Sequence, residues 1–243
     1  MKFFKKLSRS LFATYVWTIV ALVTIFVWAS IGAFSLFDRN QRISYRFTNL
    51  WGWVILGANP FWRIRITGKN HIKQNQGFVL VANHASLADI ICLYCLGKHF
   101  KWLAKESLFK IPVFGWAMSL MNYIPLERGK HGSIRDSFEL ARQWLDKDVP
   151  VLVFPEGTRS KSGKLSEFKN GAFKLALLSG KPIIPIVIQG TGKALTKGRI
   201  SMDAKVRGSV KVLAPIEMNG YRPDEYEKLR QDVWELMSRE LAG

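Results

Sequence analysis

The chain has 243 residues, of which 48% are apolar, 13% aromatic and 22% charged, enough for a domain with its own core and unlike the composition of an unstructured polypeptide. Lys and Arg number 36 against 18 Asp and Glu, and the formal charge of +18 points to an anionic partner: nucleic acid, an acidic membrane surface or a phosphorylated substrate. Two cysteines, Cys92 and Cys95, are too few for a disulfide framework.

Residues 10–37 are a run of 28 without a formal charge, preceded by Lys2, Lys5, Lys6 and Arg9. A cleavable signal carries an apolar stretch of about 7–15 residues, whereas roughly 20 suffice to span a bilayer, so a retained membrane anchor is expected. Residues 47–62 form a second uncharged run of 16, with Trp51, Trp53 and Trp62 but also Asn49, Gly52, Gly57, Asn59 and Pro60. Those breakers suit an interfacial or re-entrant helix better than a span. A single span would also place the basic N-terminus and the basic remainder on opposite sides of the membrane, against the positive-inside tendency. Residues 1–62 therefore predict a two-helix hairpin with its tryptophans near the headgroups, a single span being the alternative.

From residue 63 to 243 short apolar runs alternate with amphipathic stretches. Strands are expected at 78–82, 100–104, 123–126, 149–154 and 182–189, and helices at 87–96, 113–121, 133–146, 172–179 and 223–241. Gly180 closes the fourth of these helices, and Pro125 marks an edge or bend. Two β-prone pieces, 199–202 and 205–213, lie before the last helix. Buried strands separated by helices imply an α/β domain with a largely parallel central sheet and flanking helices.

Sites in such sheets gather at the carboxyl ends of strands. The strand at 78–82 runs into Asn83, His84 and, at a helix start, Asp89. An imidazole there can take a proton from a hydroxyl, with a nearby carboxylate fixing its tautomer. Ser86 and Asp89 equally make an S-x-x-D capping box, and the residues alone leave both roles open. The strand at 149–154 ends in Pro155, Glu156, Gly157, Thr158, Arg159 and Ser160. Pro155 stops the ladder and Gly157 permits a tight turn. Thr158, Arg159 and backbone N–H groups can then bind an anion, a guanidinium fork being suited to phosphate; a plain turn with a solvated Arg is the other reading.

Asn-His-Ala-Ser-Leu-Ala-Asp at 83–89 resembles the NHxSxxD block of the glycerolipid acyltransferases, and Phe-Pro-Glu-Gly-Thr-Arg-Ser at 154–160 matches their FPEGTRS block residue for residue. Residues 122–128 resemble a further block with Asn122 at its usual glycine, and Ile-Pro-Ile-Val at 184–187 a fourth. Anchor and length are similar to those of the bacterial 1-acyl-glycerol-3-phosphate members. The resemblance implies that His84 is general base for the sn-2 hydroxyl of lysophosphatidate, with Asp89 orienting it. It also implies an acyl donor that is a thioester of acyl carrier protein or coenzyme A, and neither cofactor nor metal. Arg128 and Arg159, with Lys105, would hold the phosphate, and Glu156 and Gly157 would shape the loop. The place implied is the cytoplasmic face of a bacterial inner membrane, in contact with its phospholipid bilayer. Acylation of another lysophospholipid or an ornithine lipid is the rival enzyme reading; a basic membrane tether is the non-enzymatic one.

Other patterns point elsewhere. The Cys92/Cys95 pair has no second ligand pair and suits core packing, and Gly190-Thr-Gly-Lys193 lacks the spacing of a P-loop. His71, His99 and His131 read as surface or structural. The basic stretch with Lys193, Lys197, Arg199, Lys205, Arg207 and Lys211 is a solvated face or a surface for anionic lipid or acidic carrier protein. No nucleic-acid recognition motif is present.

Overall fold

The computed structural model describes residues 2–38, 41–73, 75–127, 129–160, 163–195 and 205–242. Its elements are α1 (Lys2–Phe34), α2 (Arg42–Ala58), β1 (Trp62–Thr67), β2 (Val79–Ala82), α3 (Ala88–Tyr94), β3 (Lys101–Lys105), α4 (Phe114–Leu120), β4 (Ile124–Leu126), α5 (His131–Asp146), β5 (Val151–Val153), α6 (Gly171–Ser179), β6 (Ile183–Gln189), β7 (Val206–Val212) and α7 (Tyr226–Ala242). The strands follow the order β1-β7-β6-β2-β5-β3-β4. β2 runs parallel to β5 and β6, and β3 parallel to β5 and β4, so the expected α/β sheet is present and mostly parallel. All four residues of β2 and the first six of β6 are buried, as strands covered on both faces must be. Pro125 sits in β4 at the sheet edge, where a missing N–H costs no ladder bond. The β-prone piece at 199–202 lies outside the described residues.

The chain divides into two compact units. The first holds Met1–Ile66, Ala85–Gly97 and Ile188–Val210. In α1, Phe12, Val16, Val20 and Val23 recur at helical spacing and pack into a cluster with Ile55, Leu56, Trp62 and Ile91. Its other flank stays bare: Leu11, Leu22, Ile25 and Phe26 are all more than half exposed. Among the described residues, α1 is the one helix long and apolar enough to cross a membrane, over Ser10–Phe34. Asp38 starts the return by accepting the Ser44 N–H at 2.7 Å, satisfying a first-turn donor of α2. Trp51 donates its indole N–H to Thr24 at 2.9 Å, tying α2 to α1. α2 also lies against α3, and Gly52 is required there because a Cβ would come within 2.9 Å of the Tyr94 Cβ. Trp62, expected near the headgroups, is instead the buried first residue of β1, a strand the sequence reading did not foresee.

The second unit comprises Thr67–His84, Lys98–Val187 and Lys211–Gly243. Val79, Val81, Val151 and Ile183 from the strands form its core with Ala141 and Leu145 of α5 and Phe173 and Ala176 of α6. α7 adds Leu229, Val233 and Met237, one stripe at i, i+4, i+8. Gly180 ends α6 in the left-handed region at φ 61°, as its position in the sequence required.

Candidate active site

In the second unit the parallel register of β2, β5, β3 and β4 puts their carboxyl ends along one edge. His84 follows β2 there, the 154–160 loop follows β5, and Lys105 is the exposed last residue of β3. Arg128, just past β4, lies outside the described residues.

The backbone of His84 is bonded on both sides to the 154–160 loop. Its N–H donates to Glu156 Oε1 at 2.8 Å, and its carbonyl accepts the Ser160 N–H at 2.8 Å. The imidazole stacks on the Phe154 ring with centroids 4.2 Å apart and planes at 21°. His84 as a whole is half-buried, its ring resting on a flat apolar support.

Glu156 is buried, and its second oxygen, Oε2, accepts the Ser166 N–H at 3.0 Å. One carboxylate thus braces His84 and the return segment after the loop. Gly157 has φ 71°, the left-handed region that disfavours any residue with a Cβ, and its N–H donates to the Phe154 carbonyl at 3.0 Å. A Cβ at Gly157 would lie 3.1 and 3.3 Å from Cε and Nζ of Lys169. Lys169, which the sequence reading missed, therefore lays its ammonium over the tight turn, and its own N–H donates to Pro155 O at 2.9 Å. Thr158 is exposed, Arg159 is half-buried, and Ser160 Oγ donates to Lys164 O at 2.7 Å.

In the first unit Asp89 is fully buried in the first turn of α3. Its Oδ2 accepts the N–H groups of Ala85 at 2.7 Å and Ser86 at 2.8 Å, while Oδ1 accepts the Thr191 hydroxyl at 2.5 Å. The bond back to Ser86 is the one a capping box requires. Thr191 had no local signal in the sequence; the weak glycine-rich match at 190–193 supplies this partner rather than a phosphate cradle. Burial pushes the Cys92 thiol well up, with the charges of Asp89 and Cys95 adding to the effect. Among the described residues no group of three or more His, Cys, Asp or Glu is placed to hold a metal ion.

Asn122 stands where the family block usually has glycine. It lies at φ 49°, a left-handed position that Asn tolerates better than most residues. The substitution keeps the turn.

The mostly parallel sheet carries His84 and the glycine turn at 154–160 on its carboxyl edge, and over this region the family described as Acyltransferase matches residues 63–189. The chain belongs to that acyltransferase family. It is 38% identical over 190 residues to the chloroplastic 1-acyl-sn-glycerol-3-phosphate acyltransferase LPAT1 of Arabidopsis thaliana, covering 78% of this chain and 52% of that protein. It is 31% identical over 232 residues to a 1-acyl-sn-glycerol-3-phosphate acyltransferase of Chlamydomonas reinhardtii, covering 94% of this chain and 70% of that one. It thus spans about half the length of the first relative and more than two thirds of the second. The crystal structure of the 1-acyl-sn-glycerophosphate acyltransferase PlsC of Thermotoga maritima superposes with a TM-score of 0.81 at 27% identity, covering 97% of this chain and 95% of that one.

Proposed function

We propose that this chain transfers a fatty acyl group from an acyl carrier protein or coenzyme A thioester to the sn-2 hydroxyl of 1-acyl-sn-glycerol 3-phosphate, forming phosphatidate and a free thiol. The observation that carries the reading is the backbone lock between His84 and the 154–160 loop, which makes a base and an anion-binding turn one rigid piece. In the proposed step His84 takes the hydroxyl proton as the oxygen attacks the thioester carbonyl. The tetrahedral intermediate collapses, the C–S bond breaks, and the imidazolium returns the proton to the departing sulfur. Asp89 orients the imidazole. Arg159 and Thr158 hold the phosphate, together with Lys105, Arg128 and Lys169. Oriented binding of this kind is a large part of what an enzyme adds when two reactants meet at an interface.

Residues 1–62 serve as the anchor, α1 and α2 forming a hairpin that keeps the domain on the cytoplasmic face of a bacterial-type inner membrane. The bare apolar flank of α1 supports this. The deciding experiment incubates the full chain in vesicles with lysophosphatidate and each acyl thioester, and scores phosphatidate and thiol. One thiol per phosphatidate is expected. Faster acylation of lysophosphatidylcholine or of a lyso-ornithine lipid than of lysophosphatidate would overturn the substrate assignment. For the anchor, Ser8→Cys and Arg135→Cys should react with an impermeant thiol reagent from the same side of sealed vesicles; labelling from opposite sides would establish a single span.

A further inference from the structure

We propose that the first unit carries a groove for the phosphate-bearing headgroup of an anionic membrane glycerophospholipid. This inference rests on the membrane attachment proposed above and not on acyl transfer. The groove has a volume of about 710 Å³ and lies among the end of α2, β1, β7 and the last residue of β6. Arg63 and Arg65 of β1 and Arg207 of β7 line it, together with Trp53 and Leu56 of α2 and Trp62. Period-two alternation puts both β1 arginines on the exposed face of their strand. The neutral polar lining is self-satisfied in part, Ser209 donating to Gln189 at 3.3 Å. Among the described residues no Asp or Glu lines the groove.

Arg63, Arg65 and Arg207 are exposed along one shallow groove with no lining carboxylate, so an anion settling there meets positive charge alone. Each presents a planar fork that matches pairs of phosphate oxygens. At the floor of the groove β7 packs closely on β6: a Cβ at Gly208 would come 2.4 Å from the Gln189 carbonyl and 3.1 Å from Ile64 Cδ1. Only glycine fits there.

Size and lining select the occupant. Ligand clefts run about 300–1,000 Å³, whereas a docked protein needs on the order of 800 Å² of surface per partner, so the groove suits a headgroup better than an acidic carrier protein. A free aqueous anion has no use for the accessible indole of Trp53. An acyl-bearing lipid does, its phosphate on the arginines and its glycerol and first methylenes along Trp53. Trp53 is 48% exposed, and an accessible indole is the amphipathic aromatic found at headgroup level. The same unit carries α1, with its bare apolar flank.

The test uses the full chain in detergent, titrated with phosphatidylglycerol, or phosphatidylcholine of identical chains, and read by native mass spectrometry. Wild type should retain one phosphatidylglycerol at concentrations where phosphatidylcholine is not kept. The triple variant Arg63→Gln/Arg65→Gln/Arg207→Gln should weaken that retention by about tenfold or more, while an Arg135→Gln/Arg142→Gln control behaves as wild type. Equal retention by the triple variant and wild type overturns the proposal. So does complete displacement of the lipid by equimolar inorganic phosphate, which would make this a free-phosphate site. Capture of acyl carrier protein that depends on these arginines, without a lipid effect, assigns the groove to that partner instead. A matching rise in KM for short-chain lysophosphatidate in the triple variant would make it the substrate site and equally overturn the proposal. If the triple variant is unfolded by circular dichroism, Arg65→Gln alone should show a graded loss, and none would count against the site. A chain inactive in acyl transfer that still keeps phosphatidylglycerol through these arginines would defeat the catalytic reading alone.

Discussion

Asp89 and Glu156 are both buried carboxylates that use both oxygens on hydrogen-bond donors, yet they brace different things. Asp89 spends one oxygen close to home, on the N–H groups of Ala85 and Ser86 within four residues, and the other on the distant Thr191 hydroxyl. Glu156 works at a distance, holding the N–H of His84 from 72 residues away and that of Ser166 from 10. The first brace fixes the start of a helix; the second fixes one motif to another. A local brace can be lost with the geometry of neighbouring segments largely kept, whereas loss of a long-range one frees two loops at once.

The largest expected effect comes from leaving both braces intact and removing what they serve. His84→Ala should lower turnover by about 10²–10⁴-fold, with the melting temperature nearly unchanged; near-wild-type turnover would remove His84 as the base. Glu156→Gln comes next. A neutral amide can accept one of the two N–H donors, but its NH₂ then faces the other, and a buried unsatisfied pair costs about 1–3 kcal/mol, measurable by denaturant unfolding. Asp89→Asn is the sharpening experiment. Its carbonyl oxygen can keep both backbone amides while its NH₂ meets the Thr191 hydroxyl, which can act as acceptor, so it should destabilise less than Glu156→Gln. If Asp89 also orients the imidazole, activity should fall far more than stability does. Parallel losses would reduce Asp89 to a helix brace.

Arg159→Lys leaves the Glu156 brace untouched and converts a fork into a point charge. KM for lysophosphatidate should rise about tenfold with kcat little changed, and no change in either would move phosphate binding to Lys105 or Lys169. Smallest of all, Thr191→Val should cost about 1 kcal/mol by removing the one distant hydrogen bond of the Asp89 brace, with activity close to wild type.

Those two braces also mark what could be read in advance. The bond from Asp89 to Ser86 follows from an S-x-x-D spacing. The turn at Gly157 follows from a glycine placed just after a strand-stopping proline. Thr191, 102 residues from Asp89, and Lys169 over Gly157 depend on how the chain closes on itself, and no local pattern encodes them. Secondary structure shows the same division. Fully apolar runs such as β2 and β6 were legible, as was the helix stop at Gly180. β1 escaped because the alternation of Arg63, Ile64, Arg65 and Ile66 was hidden behind an apolar run ending in Trp62. α2 begins at Arg42, five residues before the uncharged run does, because its first turn is capped by Asp38 from outside the helix. Absence of charge locates apolar surface, not helix ends.

The burial of Cys92 and Cys95 matters for a protein proposed to release a thiol at every turnover. Disulfide exchange needs an attacking thiolate with access to its target, and both side chains are at 0% exposure, with the Cys92 thiol held protonated. Neither cysteine is therefore open to mixed-disulfide formation with accumulating product, and the folded chain should tolerate an oxidising buffer without losing its acceptor site. A colorimetric thiol reagent added during catalysis would then count leaving groups alone, with no background from the protein until it unfolds.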